Sequence, residues 1–171
     1  MGKGTVCAYL KEHYPQIWYS VSATTRSPRP GEIEGQHYFF VSQAQFETLI
    51  EQNEMLEWAK VHNQNYYGTP KAPVLEKLAT GVAVVLEIDL QGARQVKATM
   101  PDARFIFLAP PSFEELTRRL IGRGTESVAE QQKRLETAKI ELAAQAEFDY
   151  VIVNDTVEKA AEKIAEILGV G

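Results

Sequence analysis

The 171-residue sequence predicts an α/β protein in which helices wrap a parallel β-sheet that carries a small α+β insert. Three runs predict the sheet, since they are almost wholly apolar and β-rich, like strands covered on both faces. They read VAVVLEI, RFIFLA and YVIVN. Helical segments separate them, and this alternation is typical of a parallel sheet. Residues 22–81 show shorter, more alternating strands, which is typical of an α+β insert.

The amino-terminal elements follow from local signals. A helix is predicted over residues 3–13, ending before Pro15, and a strand over residues 18–22. Residues 23–35 hold too many Pro and Gly for helix or strand and therefore form a loop. A strand at 37–41, a helix from Ser42 with Gln45 completing a capping box, a strand at 55–62 and a helix from Pro70 to Gly81 follow.

The remaining helices lie between the apolar strands. They are predicted over Leu90–Met100, Ser112–Ile121, Ser127–Phe148 and Val157–Leu168. Two of them begin with capping boxes, formed by Ser112 with Glu115 and by Ser127 with Glu130. The Arg- and Gly-rich segment RRLIGRGTES between two helices is expected to form a mobile flap.

Composition narrows the function class. The single Cys7 excludes an internal disulfide and a thiolate metal cluster, which suits a reducing compartment. The longest strongly apolar run is too short to span a membrane, and no signal peptide precedes the first helix, so we expect a cytoplasmic protein. A net charge of −5 argues against broad nucleic-acid binding, so any bound anion needs locally concentrated Arg and Lys.

Two basic segments are candidates for anion binding. The start MGKGT places Gly2, Lys3, Gly4 and Thr5 at a helix amino terminus, where backbone N–H groups can face an anion. Gly4 stands where a phosphate loop usually has Ser or Thr, so Thr5 is the nearest hydroxyl. Arg26 and Arg29 lie three apart in a proline-stiffened loop and could hold one phosphate. The alternative for the first segment is a Gly-Lys dipeptide that occurs by chance. The alternative for the second is two arginines that are simply solvated.

Tyrosines and carboxylates supply further polar groups. Tyr38, Tyr66 and Tyr67 are either phenolic donors or half-buried packing residues. Glu87 and Asp89 end the most apolar strand, where they could hold water on Mg²⁺, although Asp89 could instead only cap the next helix.

Four more charged residues complete the candidate set. Glu57 has apolar neighbours and could face inward, whereas Arg119, Arg123 and Arg134 surround the flap and could deliver charge to a transferring phosphoryl group.

Five segments together resemble the guanylate kinase family, in that family's order and spacing. They read SVSATTRSPRPGEIEGQHYFF, EWAKVHNQNYYGTP, LEIDLQGARQVK, FLAPPS and GRGTES…KRL. The resemblance runs from Met1 to the carboxyl terminus, and the long first segment is highly specific. It implies a P-loop-type parallel core sheet with a GMP-binding insert and a helical lid. It also implies a reaction that moves the γ-phosphoryl group of ATP onto GMP, and onto dGMP, with Mg²⁺.

The resemblance assigns roles residue by residue. Arg26, Arg29, Tyr38 and Tyr67 would hold the GMP phosphate, and Ser22, Glu57 and Thr69 would face the guanine. Asp89 would lie near the base and the Mg²⁺ shell, with Glu87 as a second candidate for that shell through water. Gly2, Lys3, Gly4 and Thr5 would bind ATP, and Lys3, Arg119, Arg123 and Arg134 would act on the transferring group.

The same resemblance divides the chain into segments. Residues 1–21, 82–111 and 143–171 would form the core, residues 22–81 the GMP-binding subdomain, and residues 112–142 the lid. Family members carry a first core strand and a fuller glycine loop before Gly2, which predicts a true start upstream of Met1. The oligomeric state is expected to be monomer or homodimer.

Two other functions stay open at this point. One is a non-catalytic guanylate-kinase-like module that binds phosphorylated peptides through Arg26 and Arg29. The other is a kinase for a different monophosphate, such as AMP or a ribose bisphosphate, in which Glu57 would have another partner.

Overall fold

In a computed structural model, the structure describes residues 3–109 and 127–170, apart from the side chains of Lys3 and Glu141. The chain divides into two compact units, Met1–Pro15 with Arg104–Gly171, and Gln16–Ala103. The predicted helix Ser112–Ile121, its capping box with Glu115 and the flap lie outside the described residues. Among the residues described, no helix is both long and apolar enough to cross a membrane.

The described elements alternate between helices and short strands. In chain order they are α1 (Lys3–His13), β1 (Trp18–Tyr19), β2 (Ala23–Thr24), β3 (Phe39–Phe40), α2 (Gln43–Glu51), β4 (Met55–Val61), β5 (Asn65–Pro70), α3 (Lys71–Ala79), β6 (Val84–Val85), α4 (Leu90–Thr99), β7 (Ile106–Ala109), α5 (Val128–Ala143), a 3₁₀ helix (Ala144–Glu147), β8 (Tyr150–Val153) and α6 (Val157–Leu168).

The first unit contains α1, α5, α6 and a parallel strand pair. β7 pairs with β8 from Ile106 opposite Tyr150 to Ala109 opposite Val153. Helix α6 begins where the Thr156 side chain accepts a hydrogen bond from the Lys159 N–H, and it ends at Gly169 with φ +76°. These caps confirm the predicted bounds of this helix, since both ends are set by local signals.

The second unit contains a parallel pair and a mixed sheet. β1 pairs with β6 in parallel, and a four-stranded sheet runs in the order β3-β2-β5-β4. Helix α2 covers that sheet, with Phe46 fully buried against Ala23 and Met55. The predicted capping box of Ser42 and Gln45 is present at its start. The predictions of parallel strands and of an α+β insert are both confirmed.

One predicted strand is wrong in extent. Residues 18–22 were expected to form one strand and residues 23–35 a loop. Instead, the chain leaves the β1–β6 pair after Tyr19 and enters the mixed sheet at Ala23–Thr24, inside the predicted loop. Ser20 N–H still donates to Val85 O, whereas Ser22 O already accepts from Phe39 N–H. Composition alone does not show where the chain passes from one sheet to the next within such a run.

A second strand, β5, was not predicted at all. Its sequence NYYGTP contains Gly68 and Pro70, which normally argue against a strand. It forms a hairpin with β4 through a turn in which His62 and Asn63 take left-handed backbone, with φ of 52° and 54°. At Gly68 an added Cβ would lie 2.7 Å from Glu57 O and 2.8 Å from Trp58 Cβ. Glycine is therefore required there by the close approach of β4.

We expect Gly68→Ala to destabilise the protein by about 1–3 kcal/mol, because the new methyl group meets backbone that cannot move aside cheaply. Urea denaturation followed by circular dichroism measures this. Gly4→Ala is the control: nothing lies within 4 Å of its Cβ position, and a helical Gly→Ala change should stabilise by up to about 1 kcal/mol. Equal stabilities for Gly68→Ala and the parent would contradict the steric account.

Candidate functional site

The second unit contains a cavity of about 290 Å³. The mixed sheet supplies Glu57 and Tyr67, and the loop before β2 supplies Ser22. The segment from Glu87 into α4 supplies most of the remaining wall, and Tyr38 also lines the cavity. The cavity thus gathers groups that lie far apart in the sequence, including three carboxylates and two phenols.

Glu57 is half-buried at this cavity. Burial raises the pKa of its carboxyl above the ordinary value, a hydrogen bond from Thr69 opposes the rise, and the negative charge of Asp89 adds to it. The Thr69 hydroxyl donates to Glu57 Oε1 at 2.8 Å. Thr69 itself is buried, with 1% of its surface exposed. This pair gives the cavity an acceptor of fixed orientation, because the buried hydroxyl fixes the position of Oε1.

Arg26 lies beside the two phenols. Its Cζ is 5.2 Å from the centroid of the Tyr38 ring, and the Tyr38 and Tyr67 rings meet edge-on at 6.1 Å. The pKa of Arg26 is raised above its ordinary value, first by a hydrogen bond with Glu32 and to a lesser degree by Tyr67 and Tyr38. One guanidinium and two hydroxyls therefore converge, as anion binding requires.

Glu32 is a site residue that sequence reasoning missed. Its two carboxylate oxygens accept from Arg26 Nη1 at 2.9 Å and Nη2 at 3.0 Å, and Oε1 also accepts from Arg29 N–H at 2.7 Å. These bonds, with the Arg26 and Arg29 charges, lower the pKa of Glu32 to about 2. The signal in the sequence is an acidic residue just across Pro30–Gly31 from two arginines.

Arg29 is placed differently from Arg26. Its side chain is exposed, and its backbone N–H holds Glu32. The proline-stiffened loop therefore orients one arginine through a carboxylate and presents the other to solvent.

Adjacent tyrosines take opposite roles. Tyr66 stacks on Phe46 with ring centroids 4.9 Å apart and also contacts Trp58, so it packs in the sheet core. Tyr67 lines the cavity instead. Successive side chains of a strand point to opposite faces, which resolves the two alternatives that the sequence left open.

Glu87 and Asp89 both line the cavity and are exposed. Asp89 also caps α4, since its Oδ1 accepts from Gly92 N–H at 2.8 Å. Within residues 3–109 and 127–170, no cluster of three or more His, Cys, Asp or Glu could hold a metal ion by itself. Two carboxylates at one cavity match the ligation of Mg²⁺ through water, because Mg²⁺ keeps several of its own waters.

The other predicted residues lie elsewhere. Gly4, Thr5 and Arg134 belong to the first unit, Gly4 and Thr5 at the start of α1 and Arg134 in α5. The backbone of Lys3 begins α1. Gly2, Arg119 and Arg123 lie outside the described residues.

Fold and site together fit an α/β nucleotide-binding protein: parallel strand pairs, a mixed sheet, and a cavity with a single half-buried carboxylate and with Arg26 against its Tyr38 wall. Comparison with known proteins makes the assignment specific. The guanylate kinase family model matches residues 1–170. The chain belongs to the guanylate kinase family.

Individual relatives agree. The chain is 60% identical to a guanylate kinase of Leifsonia xyli subsp. xyli, covering 98% of this chain and 66% of that protein. It is 55% identical to one of Thermobifida fusca, covering 98% of this chain and 85% of the relative. The crystal structure of guanylate kinase from Anaplasma phagocytophilum is similar with a TM-score of 0.71 and 38% identity, covering 98% of this chain and 80% of that one. The chain thus spans just under two thirds of the Leifsonia relative.

We expect the Glu32 carboxyl to titrate near pH 2 and to move up toward its ordinary range in Arg26→Ala, because the paired guanidinium favours the ionised form. The stabilisation that Glu32 provides is therefore present above the ordinary carboxyl range and is lost as the pH falls toward 2. Side-chain carboxyl ¹³C shifts measured by NMR report the titration. Arg29→Lys is the matched control, since it keeps both the charge and the backbone N–H. An unchanged midpoint in Arg26→Ala would exclude the pairing.

Proposed function

We propose that this chain is an enzyme that transfers the γ-phosphoryl group of ATP to GMP, giving ADP and GDP. The observation that carries the proposal is the half-buried Glu57, which Thr69 orients in a cavity also lined by Tyr38 and Tyr67, with Arg26 against the Tyr38 ring. Its support is the family membership and the relatives named guanylate kinase over nearly the whole chain. We include dGMP because it has the same base and phosphate.

The base side of the cavity suits guanine. Thr69 already donates to Glu57 Oε1, and the other carboxylate oxygen can accept from a ligand. Guanine presents an N1–H and an exocyclic amine, which are donors, whereas adenine presents a bare N1 acceptor. An adenine would offer no donor to the second carboxylate oxygen, and such hydrogen-bonding sites can reject the wrong ligand by roughly 10⁴-fold. Ser22 and Asp89 are assigned to the same end of the ligand.

The phosphate side suits a monophosphate dianion. Arg26 and the Tyr38 and Tyr67 hydroxyls are assigned to its oxygens, with Arg29 approaching from solvent. Glu32 holds the Arg26 guanidinium in place before the ligand arrives. A cation fixed in advance loses less side-chain entropy on binding, which favours affinity.

The chemistry needs alignment rather than a general base. The phosphate of GMP is already an anionic nucleophile, so catalysis consists of positioning and charge stabilisation. We assign Gly2, Lys3, Gly4 and Thr5 to ATP, and Lys3, Arg119, Arg123 and Arg134 to the developing charge. This assignment rests on the family resemblance.

Glu87 and Asp89 are assigned to the shell of a Mg²⁺ ion through water. Asp89 uses Oδ1 to cap α4, and its second oxygen can accept from a metal-bound water. When bound, the ion neutralises charge on the ATP phosphates. For location we propose the cytoplasm, which suits the lone Cys7.

The two alternatives are not favoured. A phosphopeptide-binding module has no use for a guanine acceptor, and in an AMP kinase the second oxygen of Glu57 would receive no donor from the base. The relatives are named guanylate kinase rather than either alternative.

We expect Glu57→Gln to lower kcat/KM for GMP by at least about 100-fold while the KM for ATP stays within about 2-fold, because the amide offers a donor where the guanine donors need an acceptor. A coupled ADP-release assay with GMP, dGMP, AMP and no acceptor measures this. The melting temperature is the control and should not fall, since the variant removes a carboxylate whose burial is unfavourable. Equal losses for GMP and ATP would contradict the role of Glu57.

We also expect the affinity for GMP to weaken as the pH falls through the raised pKa of Glu57, because the protonated carboxyl accepts poorly from guanine. Above that pKa the contribution of Glu57 is fully present. Isothermal titration calorimetry across pH 5–8 measures the dependence, with a proton released on binding near the pKa. Glu57→Gln keeps the titrating GMP phosphate and should lack this component. The same pH profile in both proteins would assign the dependence to the phosphate instead.

A further inference from the structure

Strand β4 carries Glu57 and lies at the edge of the mixed sheet, whose order is β3-β2-β5-β4. An edge strand has backbone N–H and C=O groups without a neighbouring strand. At Trp58, one side chain of α4 forms hydrogen bonds with both the backbone N–H and the backbone C=O. Gln95 Oε1 accepts from Trp58 N–H at 3.0 Å, and Gln95 Nε2 donates to Trp58 O at 2.9 Å. A single amide therefore replaces the missing strand at the residue directly after Glu57.

The residue directly before Glu57 is held by the same helix. The register of β4 on β5 shifts between Met55 and Glu57, which leaves Leu56 as an extra residue in the strand. Its carbonyl accepts from the Thr99 hydroxyl at 2.8 Å. Gln95 and Thr99 are four apart and so lie on one face of α4. Glu57 is thus bracketed on both sides by side chains of one helix.

The start of α4 lies against the same carboxylate. Asp89 caps the helix through Gly92 N–H, and a Cβ built on Gly92 would be 3.5 Å from Glu57 Cδ. The helix is therefore capped by Asp89, approaches the Glu57 side chain at Gly92, and holds the backbone of the next residue, Trp58, through Gln95. Movement of β4 along α4 would change all three relations together.

We propose that Gln95 is a positioning residue for guanine recognition, which it serves by fixing the edge strand that carries Glu57, with Thr99 as its second anchor. The inference rests on the proposed function, because it assumes that Glu57 reads the base. Within the part of the chain that the structure describes, β4 pairs with a strand on one side only, so ladder hydrogen bonds fix it from that side alone. Recognition by directed hydrogen bonds requires placement within about 0.5 Å. The side chains of Gln95 and Thr99 supply that constraint on the side of β4 that faces away from β5.

The test compares Gln95→Leu with Gln43→Leu, the same change at an exposed position of α2. We expect Gln95→Leu to raise the Kd for GMP about tenfold, since two hydrogen bonds that hold the site are lost, and to reduce the preference for GMP over AMP by a similar factor. The KM for ATP and the kcat should change less than about 2-fold, because those depend on other residues. Gln43→Leu should match the parent in all four quantities.

Two further variants separate positioning from folding. Gln95→Glu keeps an acceptor for Trp58 N–H but loses the donor to Trp58 O, so we expect an intermediate Kd. Thr99→Val loses the bond to Leu56 O, whereas Thr99→Ser keeps a hydroxyl and should restore GMP affinity. Hydrogen exchange of the Trp58 amide should be faster in Gln95→Leu than in Gln43→Leu.

The outcomes are distinct. Raised Kd values with faster Trp58 exchange support the proposal. A lower melting temperature with unchanged GMP affinity and selectivity in Gln95→Leu and Thr99→Val would show a purely structural role and overturn it. If the parent protein itself fails to bind GMP, the proposed function fails, and this inference fails with it. If the parent binds GMP and the Gln95 and Thr99 variants bind it with the same affinity and selectivity as the parent, the proposed function stands and this inference alone is wrong.

Discussion

The hydrogen bond from Thr69 to Glu57 is the contact on which the rest of the site depends. Burial penalises the charge of the carboxylate, and the neighbouring Asp89 adds to the penalty, so Glu57 ionises less readily than an exposed glutamate. The buried hydroxyl offsets part of this cost and fixes the position of Oε1. β4 and β5 hold the pair together, because Glu57 lies opposite Thr69 in the sheet. The strands approach closely at the neighbouring Gly68, where an added Cβ would lie 2.7 Å from Glu57 O.

The Arg26 guanidinium, which lies against the ring of the cavity-lining Tyr38, obeys a different constraint. Arg26 is exposed enough to meet a ligand, with 13% of its side-chain surface accessible, and an unpartnered guanidinium there would sample many rotamers. Glu32 limits that freedom through two parallel hydrogen bonds while also fixing the turn at the Arg29 N–H. A single acidic residue therefore orders both the loop and its cation. Such preorganisation is typical of sites that bind anions without closing completely around them.

The sequence predicted the helices better than the strands. Helices α1 and α6 have the predicted bounds, because capping residues and apolar periodicity are local signals. Strand pairing depends on distant partners, so residues 18–22 were assigned to one strand although they join two sheets, and β5 was missed because Gly68 and Pro70 are unusual in strands. In the site, Glu57 and Asp89 were chosen by their position in the sequence and do line the cavity. Glu32 was missed because its role depends on its pairing with Arg26 across a turn, which spacing in the sequence alone does not reveal.

The extra residue in β4 has a consequence for how the strand can change. Met55 and Leu56 are both buried although they are adjacent, which a regular strand with alternating faces does not allow. Leu56 is left out of the pairing with β5, since Met55 lies opposite Pro70 and Glu57 opposite Thr69. Loss of Leu56 would close the bulge and leave the later side chains of the strand on their present faces, because their partners on β5 stay the same. It would also remove a fully buried side chain and the carbonyl that accepts from the Thr99 hydroxyl. The length of this short segment therefore controls the hydrogen bond between α4 and the strand just before Glu57.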